Sequence, residues 1–247
     1  MARVEFCPPP SLSAERPITI FLNDVPVAVS QGSPYGLAEL AVGYLLSEGL
    51  ICDRDVLSSI ACDEEALEAR VFSTETVGEG YVPLHRVTSA GCARSSLAGE
   101  GSVIAPAPLE SDAVFDADDL LAQMDRLCEE SPKRNTGECV HGCGLGEQGR
   151  RDLLLVREDI GRHNAMDKLI GQAWLDRVGL SDKALFITGR ISTEMALKAY
   201  RAGCPVLVSR RSATDEAARQ AERLGVTLVS HCREGSMRVL SKPARVR

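Results

Sequence analysis

Cys92 lies in the run Thr88-Ser89-Ala90-Gly91-Cys92-Ala93-Arg94-Ser95-Ser96, where small residues supply no apolar stripe to bury a thiol. Arg94, two positions on, favours the thiolate, the form of cysteine that attacks and carries sulfur. Loops supply a disproportionate share of reactive side chains, so Cys92 reads as a sulfur nucleophile, the alternative being a bystander cysteine. A second chemistry is written in four polar segments. They are Arg157-Glu158-Asp159-Ile160-Gly161-Arg162-His163-Asn164, Gly189-Arg190-Ile191-Ser192-Thr193-Glu194, Arg210-Arg211-Ser212-Ala213-Thr214-Asp215 and His231-Cys232-Arg233-Glu234-Gly235. Guanidinium forks match phosphate oxygens, and helix N-termini near Asn164, Ser192 and Thr214 would add unpaired backbone N–H groups. Together they predict a phosphorylated ligand, a nucleotide, held by Arg162, His163, Gly189, Arg190, Ser192, Arg210 and Thr214. The competing reading makes Asn164, Ser192 and Thr214 ordinary caps and the arginines solvated.

The cluster Cys139-Val140-His141-Gly142-Cys143 carries three zinc-type ligands at alternate positions, but the usual two-residue spacer and a fourth ligand are missing. A local thiol role or plain packing competes with metal binding there, and no metal site is assigned. The His-x-Glu and Pro-Cys-x-x-Cys pattern of zinc deaminases is absent, which argues against hydrolytic deamination. Neither Gly-x-Gly-x-x-Gly nor a Walker loop is present, so dinucleotide oxidoreductases and P-loop enzymes lose support. Cys128 and Cys204 read as core. His163, at a strand-to-helix turn, is assigned ligand contact or a structural role rather than acid–base work, since no proton-transfer partner can be identified.

Elements must bring these segments together. Apolar runs at 153–156, 184–188, 205–209 and 226–230 alternate with helical patterns at 164–175, 192–202 and 214–224. This predicts an α/β fold with a largely parallel sheet and helices on its faces. Each polar segment follows a strand, so all four would meet at the carboxyl edge, where open α/β sheets bind ligands. Upstream, 18–22 and 25–29 flank Asn23-Asp24 as a hairpin. Residues 35–48 form a helix with Leu37, Leu40, Ala41, Tyr44 and Leu45 on one face and Gly49 as its cap. Residues 51–86 read as short strands and turns, 87–101 as loop, and 105–108 as linker. Asp116 opens a helix striped by Leu120, Leu121, Met124, Leu127 and Cys128. The expected organisation is a loose tail over 1–14, a smaller α+β subdomain over 15–108 carrying the Cys92 loop, and an α/β ligand-binding domain over 109–247.

Charge divides along the same line. The net charge of −7 combines 10 basic and 24 acidic residues in 1–150 with 18 basic and 11 acidic residues in 151–247. The basic part is the better anion binder, and the acidic part offers a docking surface for a partner. Aromatic content of 4% and the lack of an RNA-binding signature argue against nucleic acid. There is no apolar run of eighteen residues and no signal-like start, and nine irregularly spaced cysteines make a poor disulfide framework. A cytoplasmic protein without a membrane partner is expected.

Several of these segments resemble the FdhD/NarQ family: Glu15-Arg16-Pro17, Gly43-Tyr44-Leu45-Leu46-Ser47-Glu48-Gly49, the Cys92 loop, the run from Arg157 to Lys168, and Gly189-Arg190-Ile191-Ser192-Thr193-Glu194. The resemblance runs in consistent order from about Glu15 to Val239. It implies a formate dehydrogenase accessory protein, a homodimer with a cytidine-deaminase-like core. Such a protein takes persulfide sulfur from a cysteine desulfurase on Cys92 and passes it to the bis-molybdopterin guanine dinucleotide of the formate dehydrogenase catalytic subunit. A guanine nucleotide would be a surrogate ligand, and no redox cofactor of its own is implied. Two positions depart from the family. Its loop usually reads Cys-x-x-Cys, whereas Ser95 takes the second place here, leaving Cys139 or Cys143 as substitutes for a resolving thiol. Asp215-Glu216 stands where the family tends to have an apolar residue. The alternative is a cofactor-binding chaperone that transfers no sulfur.

Overall fold

The structure, a computed structural model, describes residues 13–74, 87–88, 107–131 and 139–247. Strands β1 (Arg16–Leu22) and β2 (Val25–Gly32) pair antiparallel across Asn23 and Asp24, whose φ values of 49° and 63° give the tight turn matched to a hairpin's twist. Helix α1 (Leu37–Glu48) starts after Gly36, held at φ 64°, and stops at Gly49, held at φ 72°. Glycine reaches this left-handed region without a Cβ penalty, which fixes both ends. The weakly patterned stretch resolves into β3 (Leu57–Asp63) and β4 (Glu68–Ser73), and β4 runs parallel to β1. Two residues expected as loop form β5 (Val87–Thr88) beside β2, closing a sheet of order β3-β4-β1-β2-β5. Ile18, Ile20 and Leu22 alternate inward on β1 to meet Leu40, Ala41 and Leu45 of α1.

The second sheet contains β6 (His141–Glu147), β7 (Leu153–Asp159), β8 (Lys183–Ile187), β9 (Val206–Ser209), β10 (Thr227–Arg233) and β11 (Ser236–Val239), in the order β11-β10-β9-β8-β6-β7. Successive side chains of the fully buried β8 face opposite layers: Ala184 and Phe186 face α2 (Ala117–Glu129). Leu185 and Ile187 face α3 (Arg162–Leu175), α4 (Thr193–Arg201) and α5 (Asp215–Leu224). The layers are thus one helix, the sheet, and three helices.

The parallel sheet expected from the sequence is corrected to a mixed one. β8, β9 and β10 are parallel neighbours, but β6 lies antiparallel between β7 and β8, and β11 runs antiparallel to β10. The Cys139–Cys143 cluster, for which metal binding, a thiol role and packing compete on sequence alone, runs into β6, whose glycines hide its strand character. Gly142, Gly144 and Gly146 alternate along one face, and a Cβ on Gly144 would come within 2.9 Å of Leu153 and 3.4 Å of Leu127. Helix α2 packs so close to β6 that this face takes no side chains. Cys128 is only half-buried on α2; Gln123 takes the buried place, donating to Glu147 O and Arg150 O at 2.8 Å each. No helix among the described residues is long and apolar enough to cross a membrane.

Candidate functional site

Because β7, β8, β9 and β10 all point one way, their carboxyl ends share an edge, and the antiparallel β6 begins there. A cleft of about 520 Å³ opens at this edge, lined by Val140, His141, Thr188, Gly189, Arg190, Arg211 and Ser212. That size falls within the range of small-molecule sites, about 300–1,000 Å³. Its loops are held by short bonds. Ser209 Oγ donates to Gly189 O (2.6 Å) and accepts from Arg211 N (2.9 Å), and Gly142 N donates to Thr188 Oγ1 (3.0 Å). Arg190 and Arg211 are exposed and form no ion pair among the described residues, so two guanidinium groups face the opening without a protein carboxylate. Such an opening suits an anion.

Of the residues proposed from sequence, Gly189 and Arg190 line the cleft, and Arg162 packs beneath it. A Cβ on Gly189 would stand 3.1 Å from Arg162 Cδ and 3.3 Å from His141 Nδ1, which is why glycine occupies that floor. Arg210 turns toward α2, with Nη1 at 4.0 Å from Asp125 Oδ1, and its neighbour Arg211 takes the cleft instead. His163 is 4% exposed and lies 3.4 Å from Glu194 Oε2 without hydrogen-bond geometry. Burial, reinforced by Arg162, Lys198 and His141, pushes its pKa down to about 3, so it is neutral at pH 7.

The three helix starts are not equivalent. Thr214 is an ordinary cap, accepting from Ala217 N at 3.2 Å, and Asp215 and Glu216 already complement the dipole of α5. The start of α3 is served by Asp159, whose Oδ1 accepts from Gly161 N at 2.8 Å. Ser192 precedes α4 without a side-chain cap bond, and its Oγ is buried with no hydrogen-bond partner among the described residues. Asn164 is no cap; it lies inside α3.

Asn164 and its neighbours do different work, joining the two sheets. Asn164 Nδ2 donates to Gln31 O (2.8 Å), and Ser30 Oγ donates to Asn164 Oδ1 (2.9 Å). Lys168 Nζ, fully buried, lies 2.6 Å from Asp159 Oδ2 and donates to Ser33 O at 3.1 Å. A second buried cluster links Ser47 Oγ to Asp167 Oδ1 (2.7 Å) and Lys198 Nζ to the same carboxylate (2.8 and 2.9 Å). Burial raises the Asp167 carboxyl and Lys198 opposes it. Removing one partner from pairs so placed typically costs about 3–5 kcal/mol, because the other charge stays buried. Much of the polar segment from Arg157 to Asn164, expected at the ligand edge, therefore builds with Asp167 and Lys168 the junction that supports the cleft.

Among the thiols, Cys92 and Ser95 lie outside the described residues. Cys143 faces the apolar core from β6, and burial pushes its thiol well above the ordinary range, so it is a poor nucleophile. Cys139 is exposed, next to Val140 at the cleft; of the two candidate substitutes for a second thiol, it alone is accessible. Cys139, His141 and Cys143 do not converge, and no three His, Cys, Asp or Glu side chains cluster as metal ligands among the described residues. From sequence Arg211 is expected at this edge beside Arg210, His141 is weighed only with the zinc-type cluster, and Ser212 is given no role. The glycine alternation that betrays β6 would have placed His141 at the start of a strand, on the ligand edge.

The FdhD/NarQ family pattern matches residues 13–247. A relative from Xanthomonas axonopodis pv. citri, the Sulfur carrier protein FdhD, is 34% identical, with 95% of this chain and 85% of the relative covered. The protein of the same name from Mycobacterium tuberculosis is 32% identical over 96% of this chain and 92% of its own length. A crystal structure from Desulfotalea psychrophila, described as a formate dehydrogenase accessory protein, superposes with a TM-score of 0.75 at 29% identity, covering 96% of this chain and 90% of that one. The family match spans nearly the whole chain, and the chain belongs to the FdhD/NarQ family.

Proposed function

We propose that this protein is a sulfur carrier that accepts persulfide sulfur from a cysteine desulfurase on Cys92 and passes it to the bis-molybdopterin guanine dinucleotide of formate dehydrogenase. The observation that carries the reading is the strand-end cleft with two guanidinium groups that form no ion pair among the described residues, in a chain whose relatives bear the name Sulfur carrier protein FdhD. Arg190 and Arg211 would hold phosphates of one nucleotide arm. Arg162, beneath Gly189, would add positive potential from below. Ser192, with an unused hydroxyl at the start of α4, adds a donor close to the same loops. The cofactor is cargo, and the guanine nucleotide end alone serves as a probe for its binding. In the first step the Cys92 thiolate attacks the terminal sulfur of the desulfurase persulfide; the old S–S bond breaks and the desulfurase thiolate leaves. The reading carries with it a cytoplasmic homodimer.

Ser95 favours a second reading, in which the protein chaperones the cofactor and Cys92 transfers nothing. Incubation with a cysteine desulfurase and cysteine, followed by mass spectrometry, separates the two. The carrier reading expects one added sulfur on the Cys92 peptide, and loss of both label and formate dehydrogenase activation in Cys92→Ala. Full label and full activation in that variant would refute it. Activation that survives Cys92→Ala but is lost in Arg190→Ala would establish the chaperone.

A further inference from the structure

His141 stands in the cleft in the place the sequence assigned to His163. It is the first residue of β6, half-buried, and β6 is fixed by β7 on one side and β8 on the other. It lines the opening with Arg190 and Arg211, and its Nδ1 sits over the bare Gly189 beside Arg162. We propose that His141 is the imidazole that contacts the bound phosphate-bearing ligand, and that it takes up a proton as the anion binds. The proposal deepens the anion-cleft reading and rests on it.

The charges around His141 come from every neighbouring element. Arg162 and His163 lie on α3, Arg190 follows β8, and Arg211 follows β9. On β7, Asp159 is its register partner, but that carboxylate is committed to the buried Lys168. On α4, Glu194 is directed at His163. The cleft lining named here is cationic, and a bound anion adds negative charge that favours an imidazolium. A phosphate placed between two guanidinium groups and an imidazole would receive donors from three separate loops, which fixes its position as well as its charge.

GDP is the probe, titrated calorimetrically into the whole protein. His141→Gln should weaken binding about tenfold at pH 6.5, the loss expected for a hydrogen bond to a charged group. The ratio of wild-type to variant affinity should shrink toward pH 8; the titration of GDP itself cancels in that ratio. In the wild type, the His141 imidazole signal should shift on adding GDP, and its titration midpoint should rise. With only four histidines in the chain, the His141 signal can be assigned by its loss in His141→Gln or His141→Asn. Urea midpoints near wild type would show that the variants are folded. Wild-type affinity in His141→Gln alongside weakened binding in Arg190→Ala would overturn the proposal and leave the cleft reading standing. An imidazole signal indifferent to GDP, in a protein that binds it, would do the same. Unchanged binding in both variants would overturn the cleft reading itself.

Discussion

Gly43→Ala should destabilise the protein although alanine is the better helix former. Gly43 of α1 and Gly171 of α3 face each other where the helices cross. A Cβ on Gly43 would lie 2.5 Å from the carbonyl carbon of Asp167, closer still to its oxygen, and 2.9 Å from Gly171 N. Ordinary contact begins near 3.4 Å, so the helices must part by at least about 0.9 Å. The obstructing atoms are backbone and cannot rotate away. A gap of that order forfeits roughly a quarter to a half of the dispersion between the surfaces it separates. Overpacking against rigid neighbours costs about 1–3 kcal/mol. Parting the helices also stretches the Ser47–Asp167 bond, worth about 1 kcal/mol more. Against this stands a helix-propensity gain of about 1 kcal/mol. The net expectation is a loss of about 1–3 kcal/mol, or roughly 0.3–1 M in urea midpoint for a slope of about 3 kcal/mol per M. Trp174 is the only tryptophan and packs from α3 against the core under α1, so its fluorescence reports this junction directly. Gly179→Ala is the control: a Cβ there meets nothing within 4 Å, and the midpoint should stay or rise slightly. A Gly43→Ala midpoint at or above wild type would refute the close-crossing argument.

Two further outcomes are expected. The folded pKa of His163, about 3, lies below its ordinary 6.5, so from about pH 6.5 down to 3 the unfolded chain binds a proton that the folded one excludes. Stability should therefore fall as pH drops through that window, with a contribution from this residue approaching 1.4 kcal/mol per pH unit, and this contribution should be flat above it. His163→Gln should flatten the urea-midpoint profile between about pH 4 and 6.5; parallel profiles would mean that His163 is not held neutral. In native thiol alkylation read by peptide mapping, Cys52 and Cys139 should react first among the cysteines of the described residues. Cys62 should be slower, because burial, with Glu39 and Glu64, raises its pKa. Cys143, Cys204 and Cys232 should react only on unfolding, burial having pushed the last two up to about 12. Native labelling of Cys143 ahead of Cys139 would contradict their assigned faces.

Local chemistry was legible in the sequence wherever it depends on near neighbours. Asn23-Asp24 announced a hairpin, Gly49 marked a helix end, and a continuous apolar run marked β8 as a buried strand, because turn geometry and local hydrophobic pattern act over a few residues. The order of strands and polar segments along the chain also placed Arg190 and Gly189 at the strand-end edge, where the cleft opens. What the tertiary structure decided is which side chain of a polar run meets which neighbour. Asp159, Asn164, Asp167 and Lys168 bond to residues more than 100 positions away, and no local pattern distinguishes a buried junction from a binding loop. β6 is a strand because α2 lies against its glycines, a reason that resides in another element. The different settings of His163 and His141 have the same origin: both imidazoles are near the strand-end edge, but helix packing closes over the first and an antiparallel strand delivers the second to the cleft.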